Sequence, residues 1–487
     1  MKRGQQQPIA KSRSFHDRLS VAGRGPTAAA AVAAAAAVVV LFALFGPDGS
    51  LSLLGGPIRT VTVALTAAGV LVGVAGRPRR WWATWGTGIA VAATVVVASA
   101  HWWLMDSGLV DQHYPPTFLL WVWGAMVAVG VAGTGWWSGP AAQRAVRVVT
   151  VPIALFASFL LINAHYGYWP TMGALLNRPV AGQVSARALS RALSDRASGP
   201  IREVGQFGRV SIPGPAGYDA GTAWAWIPPA FNRVSHAHLP VLVMLPGVPG
   251  WPYDWEQAGQ VVSLANAWAR AHGGIAPVML LVSGNGARNR DTECVNGPRG
   301  NAETYLTRSV PDFITHQLGI TEDPARWGIV GYSEGGTCAF DLALEHPHLF
   351  GRFVDIAGDL GPNIAPNTQS PLTELYAGNF AAMLHHETRW LLAHHRYPHS
   401  QGWFASSSED RSHERIARTH AAAAASDGMK TFNRSGGTGG HSWSYAGTAL
   451  RSVYPALVTS MPTPTLPPTE RNRPQRHHYV ADPDHRP

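Results

Sequence analysis

Five runs in the first third of this 487-residue chain are long, apolar and nearly free of charge, and no other feature limits its fold so strongly. Residues 27–46 consist almost entirely of Ala, Val, Leu and Phe, and comparable runs follow at 60–76, 81–104, 117–137 and 148–165. About 20 apolar helical residues cross the hydrocarbon core of a bilayer. A secretory signal has a shorter apolar stretch of about 7–15 residues and is not followed by further spans. The sequence therefore predicts a transmembrane region of about five helices over residues 27–166. Trp81, Trp82, Trp102 and Trp103 stand at the ends of one run, where the membrane interface favours the indole ring.

The flanking charges predict an orientation. The tail of residues 1–26 carries Lys2, Arg3, Lys11, Arg13, Arg18 and Arg24, and the Arg77/Arg79/Arg80 and Arg144/Arg147 loops fall on the same side. The opposite loops, 46–59 and 105–116, carry only Arg59 beside Asp48, Asp106 and Asp111. The positive-inside rule then puts the N-terminus in the cytoplasm. Five spans put everything after about residue 167 outside, and an even number would reverse this. The same asymmetry accounts for much of the net charge of +9. No basic stripe interleaved with aromatics points to a nucleic-acid partner.

Beyond a polar linker at 167–204 the pattern changes. Short β-type or continuous apolar runs at 208–212, 222–227, 241–245, 277–282, 327–330, 353–357 and 402–405 alternate with helical patterns at 257–270, 305–318, 337–345 and 443–457. The first two runs read as a hairpin, and the continuous ones as strands buried on both faces. Alternation of this kind predicts an α/β domain over 205–458, with a mostly parallel, doubly wound sheet. Residues 459–487, rich in Pro, Arg and His without apolar period, read as a disordered tail.

The chemistry centres on Gly331-Tyr-Ser333-Glu-Gly335, which lies between the 327–330 run and a helical segment. Gly-x-Ser-x-Gly at a strand-to-helix junction is the pattern of a nucleophile elbow. The triad order that accompanies it is serine, acid, histidine. Asp410, just beyond the 402–405 run, is the first choice of acid; Glu409 is the second and Asp359 the third. Glu409 and Asp410 also suit a purely structural role at a helix start, where acids favour the macrodipole. His441, delivered by Gly436-Gly-Thr-Gly-Gly440 ahead of the last helix, is the expected base. The backbone N–H groups of Glu334 and Val248 are the expected oxyanion donors, with Gly247 behind Val248, since Pro246 has none to give. His385, His386, His394, His395 and His399 lack zinc-protease spacing and read as structural or surface residues. Cys294 and Cys338 form no metal-ligand pattern, and outside the cytoplasm they would pair as a disulfide.

Several of these stretches together resemble the esterase family that contains esterase D and the mycolyltransferases of the antigen eighty-five group. They are Leu245-Pro-Gly-Val248, Trp251-Pro-Tyr-Asp-Trp255, Glu303-Thr-Tyr-Leu-Thr307, Gly331-Tyr-Ser-Glu-Gly335 and His441-Ser-Trp443. The resemblance implies an α/β-hydrolase fold, a serine nucleophile, no metal or other cofactor, and acyl-ester chemistry outside the membrane. Mycolyltransferases typically have Leu-Asp-Gly-Leu-Arg where this chain has Leu245-Pro-Gly-Val-Pro249, so sugar and acyl specificity do not carry over. The expectation is a membrane-anchored extracytoplasmic serine esterase acting on acyl esters, with cell-envelope lipids as substrates. The alternatives are an acyltransferase moving the acyl chain to a sugar or lipid hydroxyl, and an inactive hydrolase-fold binding module.

Overall fold

The computed structural model describes residues 50–107, 116–135, 139–194, 201–364 and 370–466. The 1–26 tail, the first apolar run at 27–46 and the tail beyond 466 lie outside the described residues. The chain divides into two compact units, Met1–Ala164 with Thr171–Gly173, and His165–Pro170 with Ala174–Pro487.

The first unit is helical. Its helices are α1 (Pro57–Val74), α2 (Thr87–Ser107, entered through a π-helical turn at Trp82–Gly86), α3 (Thr117–Gly135) and α4 (Ala141–Tyr166). Four helical segments are long and apolar enough to cross a membrane, and in their most apolar windows only 11% to 33% of residues are buried. Leu71 and Leu120, for instance, are exposed. In water such side chains would forgo about 1.5–3 kcal/mol each of burial, a loss that a hydrocarbon surround removes. These helices correspond to the second to fifth predicted spans. The last begins earlier than the apolar run, at Ala141, because Arg147 lies inside the helix and is buried. Its guanidinium donates to Gly73 O at 3.0 Å and Gly135 O at 2.8 Å, taking carbonyls from the C-terminal turns of α1 and α3. Gln143 Nε2 donates to Val72 O at 2.9 Å in the same way.

The second unit is built on an eight-stranded sheet. The strands are β1 (Gln206–Val210), β2 (Ala223–Ile227), β3 (Val241–Leu245), β4 (Val278–Leu281), β5 (Trp327–Tyr332), β6 (Arg352–Ile356), β7 (Gln401–Ala405) and β8 (Lys430–Asn433). Their spatial order is β1-β2-β4-β3-β5-β6-β7-β8. β2 pairs antiparallel with β1 and with β4, and every other pairing is parallel. β3, β4, β5 and β6 are buried along their whole length, as expected of strands covered on both faces. Two apolar layers sandwich the sheet: one contains Leu306, Phe340 and Phe353, the other Trp255, Leu450 and Tyr454.

This is the α/β-hydrolase fold. Its principal helices are α5 (Val261–Ala271), α6 (Glu334–Glu345, directly after β5), α7 (Arg411–Ser426, after β7) and α8 (Trp443–Thr459). The predicted 257–270 helix is broken: Asp254–Gln257 and α5 are separate, with Gln260 in the left-handed region at φ 56°. The edge strand β8 was not predicted, because its residues, Lys-Thr-Phe-Asn, are only partly buried and show no apolar run.

Candidate active site

Backbone geometry at the end of β5 fixes the site first. Ser333 has φ 57° and ψ −126°, a left-handed conformation that a serine rarely adopts, and α6 begins at the next residue. The chain turns so tightly that a Cβ on Gly331 would stand 1.6 Å from Gly335 O, and one on Gly335 would stand 2.4 Å from Pro246 O. The two glycines of the pentapeptide are therefore required by close backbone approach. The turn is secured by Ser333 N–H donating to Ile356 O at 2.9 Å.

Two loops bring the other groups to Ser333. Residues 406–410 follow β7, and residues 434–442 connect β8 to α8. Serines zip these loops together: Ser407 Oγ accepts from Gly440 N–H at 3.1 Å, Ser408 Oγ donates to Gly437 O at 2.6 Å, and Gly436 N–H donates to Ser406 O at 2.8 Å. His441 consequently sits with Nε2 2.9 Å from Ser333 Oγ and Nδ1 2.9 Å from Asp410 Oδ2. Tyr332 packs against the His441 ring at 5.3 Å and against Trp443 at 4.8 Å.

The three candidate acids separate by position. Asp410 faces His441 and also caps α7, accepting from His413 N–H at 3.4 Å, so its catalytic and helix-start readings coexist. Glu409 Oε2 accepts from Gly439 N–H at 2.8 Å, which places it on the backbone of the histidine loop. Asp359 meets a different histidine, His413, whose Nε2 lies 3.2 Å away.

His413 was missed in the sequence. Its Nδ1 is 2.8 Å from Asp410, and its ring lies 4.5 Å from that of His441. The available signal was the Asp410-x-x-His413 spacing at a helix start, which puts both side chains on one face. Burial of His413 disfavours its charge, but the hydrogen bonds it donates to the Asp359 and Asp410 carboxylates outweigh it and push its pKa up to about 10. Burial likewise opposes the Asp410 charge, yet hydrogen bonds from His413 and His441 hold its pKa well below the usual carboxylate range. A line of partners thus runs Ser333–His441–Asp410–His413–Asp359.

The loop after β3 passes beside the serine, where a Cβ on Gly247 would come within 2.8 Å of Ser333 Cβ. As the first residue of α6, Glu334 has no carbonyl one turn back to take its N–H. Among the described residues, the Val248 N–H is given to no backbone acceptor. Both expected oxyanion donors therefore lie in the segments that border Ser333. Beneath the elbow, a disulfide joins Cys294 to Cys338 of α6. Asp410, His413 and His441 offer donor atoms within 4.8 Å of one another, but their ring nitrogens are all taken by the contacts above. Continuing from the Gly247 loop, Trp251 and Tyr253 join Trp224, Arg209 and Ser283 in lining a cavity of about 640 Å³.

Known proteins are similar to this chain over part or most of its length. Residues 225–456 match the sequence model of a family described as "Putative esterase". An uncharacterized protein of Corynebacterium glutamicum is 27% identical over 377 residues, covering 74% of this chain and 87% of the relative. Among solved structures, an S-formylglutathione hydrolase from Agrobacterium tumefaciens is 16% identical with a TM-score of 0.44, covering 54% of this chain and 97% of that one. MPT51 of Mycobacterium tuberculosis is 17% identical with a TM-score of 0.40, covering 53% of this chain and 99% of that one. Over residues 225–456, then, the chain is similar to the family described as "Putative esterase".

Proposed function

We propose that this protein is a membrane-anchored serine esterase that cleaves carboxylic esters through an acyl-enzyme on Ser333. The observation that carries the reading is the unbroken contact from Ser333 Oγ through His441 to Asp410 at a strained strand-to-helix turn. His441 Nε2 takes the serine proton as Oγ attacks the ester carbonyl, and Asp410 holds the ring in the tautomer with its proton on Nδ1. The Val248 and Glu334 amides receive the developing oxyanion. His441 then returns the proton to the leaving alcohol, and water attacks the acyl-enzyme with His441 again as base. His413 is a positioning residue: its imidazolium holds Asp410 beside His441.

The substrate reading is an acyl ester of the cell envelope. Its support is the run of apolar helices on the same chain, the positive-inside asymmetry of their loops and the Cys294–Cys338 disulfide, a bond favoured outside the cytoplasm. A second reading, acyl transfer to a sugar or lipid hydroxyl in place of water, draws on the cavity lined by Trp224, Trp251, Tyr253 and Arg209, whose mixed aromatic and polar wall suits a hydroxyl-bearing acceptor.

The test is fluorophosphonate labelling and p-nitrophenyl-ester turnover of the detergent-solubilised full chain. Ser333→Ala should abolish labelling and lower turnover by more than about 10⁴-fold with the fold intact. Turnover retained in that variant would sink the assignment, and an unlabelled wild type would favour a non-catalytic binding module. Product analysis with a sugar acceptor in competition with water separates hydrolysis from transfer.

A further inference from the structure

On the far end of α6 from Ser333, a second group of side chains converges that the proposed ester chemistry does not use. Glu345 is the last residue of α6 and His346 caps it. Glu303 comes from the short helix Ala302–Thr304, and His386 caps the helix Phe380–His385. Three separate segments thus deliver two carboxylates and two imidazoles to one place. His346 Nε2 lies 3.1 Å from Glu303 Oε1 and 4.0 Å from Glu345 Oε2, and His386 Nε2 lies 3.9 Å from Glu303 Oε2. His386 Nδ1 contacts Glu345 Oε1 directly. The side chains are only 10% to 21% exposed.

We infer that Glu303, Glu345 and His346 form a binding site for a divalent transition-metal ion of the zinc class, with His386 holding the Glu345 carboxylate from outside. One donor atom from each of the three lies within 4.8 Å of the others. Zinc takes four nitrogen or oxygen ligands at about 2.0–2.2 Å in a tetrahedron, whose edges are therefore about 3.3–3.6 Å. The separations of 3.1 and 4.0 Å from His346 Nε2 to the two carboxylates bracket that edge, and water would complete the set. Imidazole and carboxylate together suit zinc, whereas magnesium and calcium favour all-oxygen sets.

A further carboxylate lies beside this group. Asp341, one turn before Glu345 on α6, is buried; its Oδ1 accepts from Thr388 Oγ1 at 2.7 Å, while its Oδ2 has no hydrogen-bond partner. Three carboxylates therefore share this end of α6 with two imidazoles. Asn296 Nδ2 donates to Glu303 Oε2 at 3.0 Å, the kind of outer contact that orients a ligating carboxylate. Bound there, the ion would fasten the Ala302–Thr304 helix to the helix that begins at the nucleophile.

Three measurements on the purified full chain test this without reference to activity. After stripping with a chelator and adding back zinc, elemental analysis should give one tightly held zinc per chain. Cobalt in its place should give the visible d–d bands of tetrahedral coordination. The melting temperature should fall on chelation and recover with zinc but not with magnesium. His346→Gln with His386→Gln should weaken zinc binding by more than about tenfold, while the histidines of the terminal tail (His477, His478 and His485) remain in place. A wild type that holds no zinc and melts at the same temperature with or without chelator overturns the site. So does a double variant that binds zinc as the wild type does, since the ion is then held elsewhere. Loss of ester turnover in Ser333→Ala bears only on the proposed function, so the two readings fail separately.

Discussion

A histidine with a carboxylate at each ring nitrogen has one protonation state that serves both, the imidazolium, and His413 between Asp410 and Asp359 is in that position. Its ring lies 4.5 Å from that of His441, and both imidazoles hold the one Asp410 carboxylate. In His413→Gln, Asp410 loses a charged donor that fixes its orientation. Ester kcat should fall by about tenfold with KM unchanged, a split expected of a group that acts only through the reacting residues. An unchanged kcat would remove His413 from the relay. Stability carries the same signature. The folded-state pKa of about 10 lies above the ordinary 6.5, so the His413 contribution is complete below pH 6.5 and is lost as pH rises through 10. Urea melts should show the gap between wild type and His413→Gln closing over that window. Ser333 and His441 were readable because pattern and chain order mark them, whereas His413 was hidden by the abundance of histidines around it. Asp410 was legible as the first choice of acid from its place after the 402–405 run, but that it meets the His441 ring while Glu409 meets the Gly439 backbone is visible only in the fold.

Among the elements, α6 is tethered at both ends and in the middle: Ser333 begins it, Cys338 bonds to Cys294, and Glu345 and His346 close it. The cysteines are 44 residues apart in sequence, and a cross-link of that span restricts the unfolded chain by about 3–4 kcal/mol. Replacing both cysteines by alanine should therefore lower the urea midpoint while leaving Ser333 reactive to fluorophosphonate, provided the variant is assayed below its melting temperature. The central strands were legible because burial on both faces leaves continuous apolar runs, such as Val-Leu-Val-Met-Leu in β3. β8 was not, since an edge strand buries little and needs no such run. The break between Asp254–Gln257 and α5 was also invisible, because Gln260 adopts a left-handed conformation without the glycine that usually advertises one. At the elbow itself the contacts are less forgiving. Gly335→Ala puts a methyl group 2.4 Å from a main-chain oxygen, so it should cost more than about 3 kcal/mol by denaturant melts, or prevent folding.

For the whole molecule, the arrangement to be tested is topology. With the first apolar run counted as a span, the α/β unit is expected outside the cell, and protease added to spheroplasts should remove it while sparing an N-terminal tag. Protection of the α/β unit and loss of the tag would mean the opposite orientation. Four of the five apolar runs correspond to described helices, and their helical character follows from the need to satisfy every main-chain polar group in hydrocarbon. What the runs did not reveal is Arg147, which the charge rule assigned to a loop and which the structure buries in α4. That arginine has a consequence for biosynthesis. Its guanidinium takes the Gly73 and Gly135 carbonyls, yet both of their helices emerge from the ribosome before it does. Until α4 arrives, those carbonyls depend on water at the membrane surface, so chains truncated before Arg147 should be degraded faster than chains ending after Tyr166. The helices would be inserted one by one but locked together only when the last of them enters.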